Sequence, residues 1–187
     1  MRAWIAGVGS SLLLLVAIAI GLDRADAAEE TKVAIQNAVS ADTTGYARAI
    51  SPRTFVFPDD HGAHPDFKLE WWYLTGNLAT AEGRRFGYQF TIFRNAIAPP
   101  PDGYAADTTD WTTRQLYFAH FAVTDVEAEE FYAFERFSRG ASGLAGAQAE
   151  PFRVWIEDWS ITQAEDALMP LRVTSAGGDV RIDFALT

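Results

Sequence analysis

From residue 51 onward the sequence predicts an all-β fold: an antiparallel, up-and-down arrangement that closes into a barrel or forms a strongly curled sheet. Three observations lead there. Aromatic residues are abundant, with 13 Phe, 6 Tyr and 6 Trp, and they recur in short runs with β-branched residues, a pattern that favours pleated, half-buried strands. No helical period is sustained after residue 50. The links between successive strand-like runs are short, which suits hairpins and not the long crossovers of a parallel sheet.

In chain order, Arg2 supplies a positive start, Trp4 to Leu22 form an apolar stretch, and Ala25-Asp26-Ala27 places small residues where a signal peptidase reads. Residues 1–27 are therefore expected to be a signal peptide cleaved after Ala27. The alternative is an uncleaved anchor, because the stretch approaches the ~20 residues that span a bilayer. Either way the chain is expected to be exported, periplasmic or secreted, with membrane proximity only through this segment. Residues 28–50 read as a polar, Ala-rich leader with one helical turn around Lys32–Val39.

Residues 51–187 are expected to be the folded domain. Arg53–Phe57 is a short strand candidate stopped by Pro58, which cannot donate to a ladder. Asp59–Phe67 is a loop by its Asp-Asp, His-Gly and His-Pro content. Leu69–Ala79 and Arg85–Ala96 pair around Glu82-Gly83. A long connection, Pro99–Thr109, follows. Thr113–Thr124 and Glu130–Ser138 pair around Glu127–Glu129. Gly140–Ala149 is a flexible Gly/Ala-rich connection. Phe152–Thr162, Leu168–Ser175 and Asp179–Leu186 complete eight strands, with Gly177-Gly178 as a hairpin signal. The chain stops directly after a strand pattern and reads as the front part of something longer.

Composition narrows the function. The 49% apolar content supports a real core, and a net charge of -10 with scattered basic residues argues against a nucleic-acid partner. With no cysteine, thiolate catalysis, Cys-ligated zinc and iron–sulfur chemistry are excluded, and stability must come from core size. There is no G-x-S-x-G elbow, P-loop or G-x-G-x-x-G after a strand. No cofactor is expected.

The densest chemistry lies in His61–Tyr73, HGAHPDFKLEWWY. Strand alternation puts Glu70 and Trp72 on one face and Trp71 and Tyr73 on the other, so the two tryptophans cannot share a cavity. One lines the interior; the other seals the outside or a domain interface. Glu70 beside large apolar surface suits a general acid, while the plainer reading pairs it with Arg94 or Arg114. His61, His64 and Glu70, with His120 as a third imidazole, have the residue types of a zinc site but no rigid helix to hold the first two, and no metal is assigned. His120 sits mid-strand with Leu116, Phe118 and Ala122 on its face, either as a core residue or as a ligand or catalytic group. Arg94 shares a face with Phe86, Tyr88, Phe90 and Ile92; Gln89 lies opposite with Thr91 and Phe93. Asp158-Trp159 repeats the acid-plus-tryptophan pairing, with Trp155 on the Trp159 face. Such rings either pack a core or hold a polyene.

The runs FPDDHGAHPDFKLEWWYLTGNL and GYQFTIFRNAI, continued by WTTRQLYFAHFAVTD, FERFSRGASGLAG and FRVWIEDWSI, resemble the AttH/carotenoid 1,2-hydratase family of lipocalin-like proteins, often described as secreted hydrolases. The resemblance implies two lipocalin-like β domains, of which this chain supplies the first, and the second as its partner. It implies a small apolar ligand and a cofactor-free hydratase or lyase reaction, with the acid proposed for hydration in the second domain. The residues matching the shared pattern are His61, His64, Glu70, Trp71, Trp72, Tyr73, Gln89, Arg94, His120 and Trp159. Two functions follow as expectations. One is a hydratase-like enzyme using Glu70, His64 or His120, with Trp72, Tyr88, Gln89, Arg94, Tyr117 and Trp159 contacting the ligand. The other is a non-catalytic envelope module that binds an apolar molecule.

Overall fold

Nine antiparallel strands and a single 3-10 turn make up the regular structure of the described residues, 42–99, 113–164 and 169–187 of a computed structural model. The expectations for the signal peptide, for the leader before residue 42 with its Lys32–Val39 turn, and for most of the Pro99–Thr109 connection lie outside the described residues. Among the described residues no helix is long and apolar enough to cross a membrane.

The strands are β1 (Leu69–Ala79), β2 (Arg85–Ala96), β3 (Gln115–Asp125), β4 (Glu130–Arg139), β5 (Ala145–Gln148), β6 (Arg153–Ile156), β7 (Trp159–Gln163), β8 (Leu171–Gly177) and β9 (Val180–Leu186). Each pairs with its neighbours in sequence, in a four-stranded sheet β1-β2-β3-β4 and a five-stranded sheet β5-β6-β7-β8-β9. The up-and-down order is thus as expected, but the barrel is not closed. The break lies between β4 and β5, where Ser142 and Gly143 both take positive φ (52° and 72°) and carry the chain from one sheet to the other.

Three other expectations are corrected. Arg53–Phe57 is not a strand: the Val56 N–H and C=O are used by Asp60, through its carboxylate and its N–H, which curls the segment into the 3-10 turn Asp59–His61. The Gly140–Ala149 connection contains β5. Its small residues serve as a floor, because the Trp155 ring lies so close over Gly146 that an added Cβ would sit 2.5 Å from it. Phe152–Thr162 is two strands, turned at Glu157-Asp158 with Glu157 at φ 56°. That turn puts Trp155 and Trp159 on opposite faces, Trp155 opposite Ser160 and Ile156 opposite Trp159.

The core is built by alternation. Phe90 and Ile92 of β2 and Ala119 and Phe121 of β3 point toward the five-stranded sheet, which answers with Val154, Ile156, Trp159, Ile161 and Val173. Trp159 stands edge-on to Phe90 and Phe121 at 6.1 and 5.8 Å and donates its Nε1–H to Ala176 O, so its polar atom is satisfied inside the core. Each fully buried large side chain contributes about 1.5–3 kcal/mol.

Candidate functional site

At the start of β1 the loop before it is pinned to the sheet by charge. Arg94 is the last inward side chain but one of β2 and is only 1% exposed. It donates to Glu70 Oε2 (2.9 Å), Gln115 Oε1 (2.8 Å), His64 O (2.7 Å) and Phe67 O (2.8 Å). Pairing of Glu70 with Arg94 in register brings the two side chains together. Glu70 also accepts from the His64 N–H (3.0 Å) and from His64 Nδ1 (2.5 Å). With both oxygens bonded, this carboxylate anchors the loop to the sheet.

His64 therefore lies between two acids. Its Nδ1 faces Glu70 and its Nε2 lies 2.9 Å from Asp60 Oδ1. Two carboxylate acceptors call for two ring donors, which is the imidazolium form. Burial works against that charge, but the hydrogen bonds and charges of Asp60 and Glu70 outweigh it, and the His64 pKa is raised. Asp60 is driven well below the ordinary carboxylate range by the Arg53 guanidinium, then by His64 and the Val56 N–H. Arg53 Nη2 lies 3.3 Å from His64 Nε2, and Asp60 sits between these two cations as their shared acceptor.

An apolar shelf adjoins this end. Arg53 covers the Phe55 ring at 4.7 Å, Phe55 stacks on Phe57 at 6.2 Å, and Phe57 stacks on His61 at 4.4 Å. Phe55 and Phe57 are 63% and 61% exposed, unusual for such side chains. The arrangement thus offers a charged imidazole, part-exposed, beside a solvent-facing aromatic surface.

The predicted site residues do not all gather here. Glu70, His64 and Arg94 form the cluster, and Trp72 adjoins it, donating Nε1–H to His61 O at 2.9 Å. His61 turns its ring to Phe57 and Phe152. Tyr88 is on the inner face against Phe184, ring centroids 4.8 Å apart, with Gly76 beneath it. Tyr117 and Trp159 are buried in the core at 4% and 1% exposure. Gln89 and His120 are exposed on the outer face of the four-stranded sheet, where His120 is edge-on to Phe93 at 5.7 Å. Asp60, Arg53 and the Phe55–Phe57 shelf were not singled out from sequence; the acid four residues before His64 in one turn was the available signal. Among the described residues no group of three or more His, Asp and Glu is arranged to hold a metal ion.

Two stacked antiparallel sheets with an acid–imidazole–acid cluster at one end define an all-β protein with a part-exposed charged cluster beside an aromatic surface. The chain belongs to the AttH-like family, whose model matches residues 48–187. It is similar to the crystal structure of a candidate AttH protein from Nitrosomonas europaea, at 30% identity and a TM-score of 0.60 over 75% of this chain. The match covers 40% of that longer chain. No curated protein matches.

Proposed function

We propose that this chain is an exported apolar-ligand protein of the cofactor-free hydratase type, lipocalin-like in use, and that His64 is its proton carrier. The single observation that carries the reading is the imidazole held between Asp60 and Glu70 beside an exposed aromatic shelf. A polyene or isoprenoid end would lie on Phe55 and Phe57, displacing Arg53 from above Asp60. The His64 Nε2 proton would pass to the terminal alkene carbon, and water would add to the cation so formed. The proton that water loses would return to the imidazole, which closes the balance. Glu70 and Arg94 would act as positioning residues, with Trp72 completing the wall. The second β domain expected from the resemblance would close the site. Intact-mass measurement of exported protein would find cleavage after Ala27.

The test is incubation of the full chain with an acyclic carotenoid, and mass analysis for the gain of one water. Hydrated product from the wild type and none from His64→Gln is expected. Saturable quenching of tryptophan fluorescence without product, the same in both proteins, overturns the catalytic step.

A non-catalytic ligand-binding module is the second reading. It is favoured by the use of Arg94 and Glu70 to tie down the loop that carries the exposed Phe55 and Phe57 rings, a positioning role that needs no turnover. Under it, Glu70→Gln weakens ligand binding and loop docking together.

A further inference from the structure

The outer face of the four-stranded sheet has no use in the reading above, and it is conspicuously aromatic. In register across all four strands run Trp71, Phe93, Phe118 and Phe137. Trp71 and Phe137, at the two ends of this row, are 57% and 44% exposed, and Phe118 touches Phe137 at 4.8 Å between centroids. The next row along the strands is Tyr73, Thr91, His120 and Glu135. Its Thr91 hydroxyl is buried and has no hydrogen-bond partner within the chain. Soluble monomers seldom leave so continuous an apolar face to water.

We propose that this face is the interface of a homodimer, occupied by a second copy of the same chain. The argument is self-complementarity. A two-fold axis parallel to the strands and midway between β2 and β3 lays β1 of one copy over β4 of the other, and β2 over β3, so each cross-strand row meets itself. The aromatic row then stacks on its own counterpart, Trp71 over Phe137 and Phe93 over Phe118. In the next row the Tyr73 hydroxyl faces the Glu135 carboxylate, and the exposed His120 lies over the buried Thr91 position. No like charges meet in either row. Four strands about 4.8 Å apart and about 11 residues long at ~3.3 Å each present roughly 700 Å² in projection, near the ~800 Å² that each partner of a standard interface buries. Aligned face-to-face packing of twisted sheets is a common way to stack such surfaces. A chain of net charge -10 is poorly suited to an anionic lipid surface as the occupant, and the second β domain expected above is placed at the His64 end, not on this face.

Sedimentation velocity on the purified full chain over a concentration series tests this. The wild type is expected at twice the chain mass at high concentration. Trp71→Glu and Phe137→Glu are expected to weaken the dimer roughly tenfold or more, while Thr174→Glu, on the outer face of the other sheet, leaves it unchanged. Glu135→Lys changes only an exposed side chain and guards against misfolding; it is expected to weaken the dimer with an unaltered circular dichroism spectrum. A wild type that stays monomeric, including one whose face instead takes up an apolar dye, overturns the proposal. So does a dimer indifferent to Trp71→Glu, Phe137→Glu and Glu135→Lys alike.

Discussion

The Arg94 guanidinium reaches four acceptors from a position almost out of solvent, and two of them are carbonyls of the loop it holds. Arginine suits this because its planar fork presents several donors at fixed angles, where lysine offers a point charge. Removing it would leave Glu70 with only its His64 contacts, release the His64 and Phe67 carbonyls and leave Gln115 Oε1 without this donor. Arg94→Met is therefore expected to destabilise the chain by about 3–5 kcal/mol, with Arg94→Lys recovering only part, as read by urea denaturation. His64 sets a pH dependence whose sign follows from its raised pKa. The imidazolium is favoured by folding, so its contribution is complete below the unfolded histidine value and is lost as pH rises through the folded one. Asp60 is shifted the other way; its contribution is present above the ordinary carboxylate range and lost as pH falls through its lowered value. The melting temperature should thus fall on moving from mildly acidic to alkaline pH, and His64→Gln should flatten that limb. A wild type and variant with parallel limbs would remove His64 from the account. The pairing of Glu70 with Arg94 was open to sequence reading because both residues fall on inward positions of adjacent strands. Asp60 was harder to see, since its role depends on a turn that the aromatic run Phe55-Val56-Phe57 disguised as a strand.

Strands with strict alternation and ordinary turns were legible to within a residue or two. Leu69–Ala79 and Arg85–Ala96 are as expected, since the Glu82-Gly83 turn fixes their register and Gly83 supplies the positive φ of 92°. What escaped was β5 and the turn between β6 and β7. In β5 the signal was inverted: Gly146 is a strand residue because Trp155 covers it, and the tryptophan supplies the ring that the glycine lacks. At Glu157 a non-glycine residue takes the left-handed conformation, so no glycine marks the position and Asp158 alone signals a turn. The β5–β6 pair gives a direct test. Gly146→Val would force the Trp155 ring off the strand, costing its stacking with Arg153 (4.4 Å) and its hydrogen bond to Gly143 O (2.9 Å). A loss of about 1–3 kcal/mol is expected by denaturation, with a red shift in tryptophan emission. An unchanged emission would mean that the ring does not depend on the glycine floor.

At the scale of the described residues from Asp42 onward, the two sheets have no strand in common, yet they share one core. Trp159, from the five-stranded sheet, is enclosed by Phe90 and Phe121 of the four-stranded one, and Arg136 of β4 lies over its ring at 4.5 Å while pairing with Asp158 and Glu157 of the next turn. Neither sheet can bury its inner face alone, because each hydrophobic row is completed only by the other. The physical consequence is cooperativity: loss of one sheet exposes the whole inner face of its partner, an unfavourable intermediate at about 25 cal/mol per Å² of apolar surface. Unfolding followed by far-ultraviolet circular dichroism, which reports strands, and by tryptophan fluorescence, which reports the inter-sheet core, is expected to give coincident transitions in urea. Trp159→Phe should lower both midpoints together, for a stability loss of about 1–3 kcal/mol, since it leaves a partial cavity and removes the hydrogen bond to the Ala176 carbonyl. If fluorescence were lost at lower urea than the strand signal, the sheets would be separable layers with their own stability. The hydrogen bonds of the His64 cluster, all made within the four-stranded sheet and its preceding loop, would then be the ones to persist.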